Sequence, residues 1–439
     1  GDHRELHSFP TRRSSDLSFS ISDANEAWIM EIIGKGTKLE TDKKTKQLIN
    51  RNKGAVWVAV RIPDGYISAH ANQARITSFT PENRKTSISS KNLAKIYQPE
   101  IEVIYAEDVI SFARQAGYFN GEDMDFSFSD VYAPMTFGAA RFCEIRVWAF
   151  FRQYVSGMDL YTDYVSGKNL LNRMPLYVKP DRKIKPSDLM AAKRDHLEGT
   201  GFDMRLDVGA GPYTLPYRWR PLTWGVDGKT CFNERATATQ QTGFSFIAQS
   251  RGWMPAAIGG VFWFSVDDAA TTVFVPMYCG ITSVPQTYAE GNGDMLTYSE
   301  NSAFWVFNKV ANFCYLRYNL MTPDVLKLQK QLENKNQEEL LQTDAKALEL
   351  YSSDPDGARK IITGFSHTTA NHVVESWENL FRFLLVKFID GNVKKEQDGI
   401  FLRNPYNFPE NPNFPGYPEE WKRILLEKTG EKFLMPAEH

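Results

Sequence analysis

The hydrophobic period changes partway along this chain of 439 residues, and that change restricts the fold more than any other feature. Early on the period is two. In Ala55–Ile62, Val56, Val58, Val60 and Ile62 share one face, while Trp57, Ala59 and Arg61 share the other, the pattern of a half-buried strand. Pro63-Asp64-Gly65 predicts a three-residue hairpin loop, with residues 66–72 as the returning strand. Residues 18–22 and Ala27–Gly34 read as two further strands, joined by the turn-forming Asp23-Ala24-Asn25-Glu26. Late in the chain the period becomes helical. Residues 301–320, 323–351 and 370–389 predict helices, and in the last of these Val373, Trp377, Leu380, Phe381, Leu384, Leu385 and Phe388 fit one apolar face. Antiparallel strands followed by segregated helices predict an α+β fold or a layered αββα arrangement.

The middle of the chain is mixed. Helical spacing recurs over 107–116 and, more strongly, over 139–154, and Ser187 is a candidate N-cap for the helix that carries Leu189, Met190 and Leu197. Residues 243–249, 259–266 and 272–279 are strand candidates rich in aromatic and β-branched side chains. The lysine-rich stretch 35–53 reads as a solvated loop insertion, and 404–418 as a Pro/Asn-rich tail ordered only where it packs. The first seventeen residues, GDHRELHSFPTRRSSDL, lack both an apolar period and a signal-peptide core. They resemble translated sequencing-adapter read-through, so the native frame is expected to begin near Ser18.

Composition removes several function classes. A formal charge of −2, from 51 basic and 53 acidic residues, argues against a strongly basic nucleic-acid binder. No apolar run approaches the ~18 residues of a membrane-spanning helix. Cys143, Cys231, Cys279 and Cys314 form no CxxC pair and are too few for a disulfide scaffold. Aromatic residues make up 13%, which predicts a large packed core or a stacking pocket.

Short catalytic motifs are equally sparse. There is no HExxH, and His367 and His372 are spaced wrongly for one helix face. Ile247 stands where the last glycine of a GxSxG elbow would be, no GxxxxGK[ST] occurs, and Gly209-Ala210-Gly211 is a bare GxG. Asp267-Asp268, Glu144 and Glu234 are candidate carboxylates, but adjacent residues at a strand end point in opposite directions, so the Asp pair reads first as a turn. Each cysteine reads as a small packed residue rather than an activated thiol. Two polar clusters remain, His70-Ala71-Asn72-Gln73-Ala74-Arg75 and the stretch from Asn233-Glu234-Arg235 to Arg251. Amides and guanidinium groups at strand ends can hold an oxyanion or a carboxylate, or can simply cap turns.

Seven blocks carry a resemblance. PDGYISAHANQARIT, YAPMTFGAARFCEIRVW, RDHLEGT, GAGPYTLPYRWRPLTW, NERATATQQTGFSFIAQSR, FWFSVDDAATTVFVPMYCG and NSAFWVFNKVAN occur in this order and resemble the dipeptidase A and secernin family of cysteine peptidases. The likeness is strongest to dipeptidases of Bacteroides-like bacteria and extends from about Ser18 to Lys432. It implies an N-terminal-nucleophile hydrolase with an αββα sandwich, in which a cysteine matures into residue one and its free α-amino group acts as base. It also implies short peptides as substrate, no nucleic-acid partner and no metal or other cofactor; cleavage of N-acyl amides is an alternative on the same fold.

The resemblance places the nucleophile upstream of residue 18, and none of the four cysteines matches it. This chain alone is therefore expected to lack hydrolase activity, and a non-catalytic peptide-binding protein is the alternative. The expected organisation is a foreign segment 1–17, a truncated hydrolase core 18–300, a helical region 301–395 and a tail 396–439. Relatives in this subgroup often carry a signal peptide, which would place them in the periplasm or outside the cell. Strand-end placement makes Asn72 the expected oxyanion or substrate-amide contact, and Arg75 and Arg235 the expected holders of a substrate carboxylate.

Overall fold

The computed structural model describes residues 17–436, apart from 24, 82, 84 and 219–221. The expected foreign segment thus lies outside the described residues, except Leu17, which begins the first strand. The chain divides into two compact units, 1–185 and 186–439.

The first unit is built on a five-stranded sheet. Its strands are β1 (Leu17–Ser22), β2 (Ala27–Gly34), β5 (Ala55–Ile62), β7 (Ser87–Ser89) and β8 (Val103–Tyr105), in the order β1-β2-β5-β8-β7. All neighbours are antiparallel except β7 and β8. Two strand pairs lie outside this sheet: β3 (Leu39–Thr41) with β4 (Leu48–Asn50), and β6 (Ile67–Ser68) with β9 (Tyr177–Val178). Because β2 and β5 pair with Glu31 opposite Val58 and Ile33 opposite Val56, one face of the sheet is almost wholly aliphatic. That face packs on helix α1 (Val109–Gln115) and on Phe79, Phe126 and Phe128, all buried. Burying side chains of this size contributes about 1.5–3 kcal/mol each.

Three expectations change in this unit. Residues 35–53 form a small hairpin rather than an irregular loop. Only Ile67–Ser68 of the expected returning strand is extended, and it pairs with β9, because the chain from Ala69 onward turns inward to bond with arginine side chains. The helix expected over 139–154 opens with a π-helical segment, Ala140–Glu144, before the α-helix α2 (Ile145–Phe151). Such wide turns are frequent at functional sites.

The second unit centres on a three-stranded antiparallel sheet, β12 (Phe244–Ser250), β13 (Gly260–Val266) and β14 (Val275–Tyr278), with a separate hairpin of β10 (Thr223–Val226) and β11 (Lys229–Phe232). One face of the sheet, with Ile247, Val261 and Trp263, is buried against Leu340, Ala347, Ala358 and Ile362. The other face carries Phe244, Phe246, Phe262 and Phe264 as a ladder with ring centroids 4.8–6.4 Å apart, and Phe244 is 60% exposed. The longer helices of this unit are α3 (Pro186–Lys193), α4 (Ala303–Cys314), α5 (Tyr318–Tyr351), α6 (Pro355–Phe388) and α7 (Glu419–Thr429).

The helices follow the sequence in outline, but their bounds differ: the break expected at 321–322 falls at 315–317, so Pro323 lies inside α5, and α3 ends at Lys193, short of Leu197. Helix α3 starts at Pro186, so Ser187 sits in its first turn and is not its cap; proline at the first helical position fits, since its missing N–H would go unused there. Helix α6 begins fifteen residues before the expected start, with the Asp354 carboxylate accepting from Gly357 N at 2.8 Å. Ala358, Ile362, Ser366 and Thr369 continue its buried stripe with small or polar side chains, which hydrophobic periodicity does not register. Phe307 of α4 stacks on Trp377 of α6 at 5.1 Å in the centre of this core. No described helix is long and apolar enough to cross a membrane. The chain is therefore a mixed α/β protein with a helical C-terminal region.

Candidate active site

The strongest candidate lies in the first unit, in the loop that leaves β6. Asn72 there has φ +61°, a left-handed conformation that few residues other than glycine adopt without cost. Two arginines hold it. Arg146 of α2 donates from one terminal nitrogen to Ala71 O and to Asn72 Oδ1, both at 3.0 Å, and from Nε to Phe142 O at 3.1 Å. A guanidinium has only donors, so its neighbour on Asn72 must be the carbonyl oxygen. The Asn72 NH2 group is therefore turned away from Arg146, with no hydrogen-bond partner among the described residues, on an exposed side chain.

Arg75 is the second staple. Its side chain is only 2% exposed and lies 3.1 Å from Glu144, whose side chain is 1% exposed. Its terminal nitrogens donate to Ala69 O (2.9 Å), Leu176 O (3.1 Å) and Pro175 O (2.8 Å), with Met174 O at 3.5 Å. Its guanidinium also lies 5.5 Å from the Phe151 ring centroid. Every edge of the fork is thus engaged within the protein. The geometry gives Arg75 the work of closing the 69–75 loop onto residues 174–176, and leaves no edge for the substrate carboxylate expected from sequence.

Glu31 completes the support. It is the one carboxylate on the buried face of β2, and it accepts from Arg75 N at 2.8 Å and Ile76 N at 3.0 Å. Charge-assisted bonds from two successive backbone amides fix the loop exit. His70 Nε2 lies 3.8 Å from Glu31, a distance compatible with an ion pair. The ring is nevertheless neutral near pH 7, because burial, with Arg75 and Arg146 adding to it, pushes its pKa down to about 4. Two guanidinium charges and lost hydration outweigh one carboxylate that is already bonded elsewhere.

Sequence reasoning singled out Asn72 and Arg75, and the structure places both in this one loop. It missed Glu31 and Arg146. A lone carboxylate in the apolar strand AWIMEIIG was the available signal for Glu31, whereas Arg146 sits in a helix whose apolar stripe drew attention away from it.

Arg235 belongs to the second unit, half-buried between β11 and β12. That unit has its own polar cluster. Asp267, at the end of β13, has φ +65° and is 2% exposed. Its Oδ1 accepts from Asn308 Nδ2 at 2.9 Å, while its Oδ2 has no hydrogen-bond partner among the described residues. Asn312 donates to Asn308 Oδ1 at 3.0 Å, and Gln240 to Asn312 Oδ1 at 3.3 Å, so a chain of amides leads outward from the buried acid. Burial raises the Asp267 pKa to about 7, with the Asp268 charge adding to it. Asp268 is raised too, mainly by burial; it accepts from Thr271 Oγ1 at 2.9 Å and Ala270 N at 3.3 Å, which is the turn role expected of the pair.

The four cysteines differ in setting. Cys143 and Cys314 are fully buried, and burial pushes the Cys314 thiol up to about 12. Cys231 and Cys279 are accessible but have no hydrogen-bonding or ionic partner among the described residues, and burial raises the Cys279 pKa as well.

The arrangement in the first unit offers a rigidly held amide donor on a strained loop, the kind of group that steadies developing negative charge in acyl transfer. The sequence profile of Peptidase family C69 matches residues 11–331, beginning inside the segment expected to be foreign. The chain belongs to Peptidase family C69, in agreement with the expected relationship. It is 25% identical over 243 residues to a protein of Salmonella dublin named probable dipeptidase, covering 55% of this chain and 46% of that protein. It is 22% identical over 370 residues to a probable dipeptidase of Latilactobacillus sakei, covering 83% of this chain and 63% of the relative. The chain thus spans from about half to just under two thirds of the curated relatives it matches.

Proposed function

We propose that the protein hydrolyses short peptides by thiol-mediated acyl transfer, with the Asn72 side-chain amide donating to the oxyanion of the tetrahedral intermediate. The observation that carries this reading is the exposed Asn72 NH2 group, without a hydrogen-bond partner among the described residues, on a left-handed residue clamped by Arg146. A donor fixed before the reaction needs no reorganisation as charge develops on the carbonyl oxygen. In this reading the attacking thiol is none of Cys143, Cys231, Cys279 or Cys314, and the free α-amino group of an N-terminal cysteine is its base. Arg75 is a positioning residue, and Asn72 contacts substrate.

The αββα sandwich is part of the same proposal. The phenylalanine ladder on β12 and β13 supports it, because a face of four aromatic rings is what a second layer would cover. Amino-acid release from a dipeptide panel by the full-length gene product tests the function. Release blocked by iodoacetamide is expected. Full activity after complete thiol alkylation would remove the proposal.

A further inference from the structure

The stretch 35–54 carries seven lysines and arginines against two carboxylates, in a chain whose overall charge is −2. The structure makes it a preformed hairpin. Leu39 pairs with Asn50, Glu40 with Ile49 and Thr41 with Leu48. Its tip is built by Asp42, whose Oδ1 accepts from Lys44 N (2.9 Å), Thr45 N (2.8 Å) and Thr45 Oγ1 (3.1 Å), and whose backbone carbonyl accepts from Lys46 N at 2.9 Å. Both carboxylates are occupied, Asp42 by these bonds and Glu40 by Arg51 at 2.9 Å and Lys38 at 3.5 Å. Lys35 pairs with Asp108. The side chains of Lys43, Lys44, Lys46 and Lys53 are exposed and have no partner among the described residues. Opposite and alternate residues of a two-stranded ribbon share a face, so Leu39 and Leu48 project together. They are 56% and 65% exposed.

We propose that this hairpin docks the protein on an anionic phospholipid surface, with the four free lysines at headgroup level and Leu39 and Leu48 entering the acyl boundary. The combination selects the partner. A nucleic acid would be met by the cations alone and has no use for paired leucines, whereas an interfacial membrane site uses both. The excess negative charge elsewhere on the chain is repelled by the same surface, which orients the protein hairpin-first. The proposal does not depend on the catalytic reading.

The test is co-sedimentation of the full chain with vesicles of mixed phosphatidylglycerol and phosphatidylcholine, and with phosphatidylcholine alone. Binding is expected only to the anionic vesicles and should weaken at about 0.5 M salt, where the screening length falls to a few ångströms. Each lysine removed should weaken binding about fivefold, so Lys43→Gln, Lys44→Gln and Lys46→Gln combined should lose about a hundredfold. Leu39→Ser with Leu48→Ser should weaken it independently of salt. Unchanged melting temperatures separate these effects from unfolding. Failure to bind anionic vesicles, or equal binding by the lysine variant, overturns the proposal. So does tight binding to single-stranded DNA or heparin that is indifferent to the leucine changes.

Discussion

Replacing Arg75 by alanine should destabilise the first unit sharply. The arginine and Glu144 are both almost completely buried, so the variant strands a carboxylate in the interior and withdraws donors from Ala69, Leu176 and Pro175. Removing one partner of a buried ion pair costs about 3–5 kcal/mol. Tyr164 offsets part of this, because its hydroxyl donates to Glu144 Oε2 at 3.2 Å and remains in place. For a unit of this size each kcal/mol lowers the melting temperature by about 2–4 °C, so the expected fall is about 6–20 °C. Calorimetry reads it, in the transition that belongs to residues 1–185, since the two units need not melt together. Arg75→Met combined with Glu144→Leu should recover much of the loss, because removing both charges removes the uncompensated one. A melting temperature within about 1 °C of the parent for Arg75→Ala would refute the reasoning, since it would mean that Glu144 is not stranded.

Asp267 gives a pH dependence. Its folded-state pKa of about 7 exceeds the ordinary 3.8, so folding holds the proton more tightly than the unfolded chain does. Stability should therefore fall as pH rises from about 4 to about 7, by an amount on the order of 4 kcal/mol, and level off above that. Asp267→Asn should flatten this slope apart from the share due to Asp268, and a slope unchanged in melts at pH 5 and pH 8 would contradict the assignment. The thiols offer a simpler check: a disulfide reagent at pH 8 should modify Cys279 and Cys231 in the native protein, and Cys143 and Cys314 only on unfolding. Equal rates at all four would contradict the burial of Cys143 and Cys314.

The sequence was most readable where one residue type did one job. The alternation in Ala55–Ile62 and the heavy apolar stripe from Val373 to Phe388 both became the elements they announced. Legibility failed where partners are distant. Arg75 meets Glu144 across 69 residues, and only that pairing turns an apparent ligand-binding guanidinium into an internal staple. The early turns of α6 were hidden because Ser366 and Thr369 fill buried positions with hydroxyls, which Ser366 satisfies by donating to Ile362 O at 2.9 Å. The expected returning strand failed for a related reason. Its residues bond to arginine side chains from α2 and from the loop itself, which no local pattern encodes. Asn72 was found by its place at a strand end, but its left-handed backbone and the orientation of its amide came only from the structure.

The central claim is that Asn72 presents its amide to an oxyanion. Steady-state kinetics of the Asn72→Ala variant of the full-length gene product test this most directly. The account predicts that kcat falls by about a hundred- to a thousandfold, with KM little changed, as for loss of one oxyanion donor. The melting temperature should fall by only about 2–8 °C, because alanine loses an exposed bond to Arg146 and is about 1–2 kcal/mol less favourable than asparagine at φ +61°. Dipeptide hydrolysis at the parent rate by a stably folded Asn72→Ala protein would contradict it.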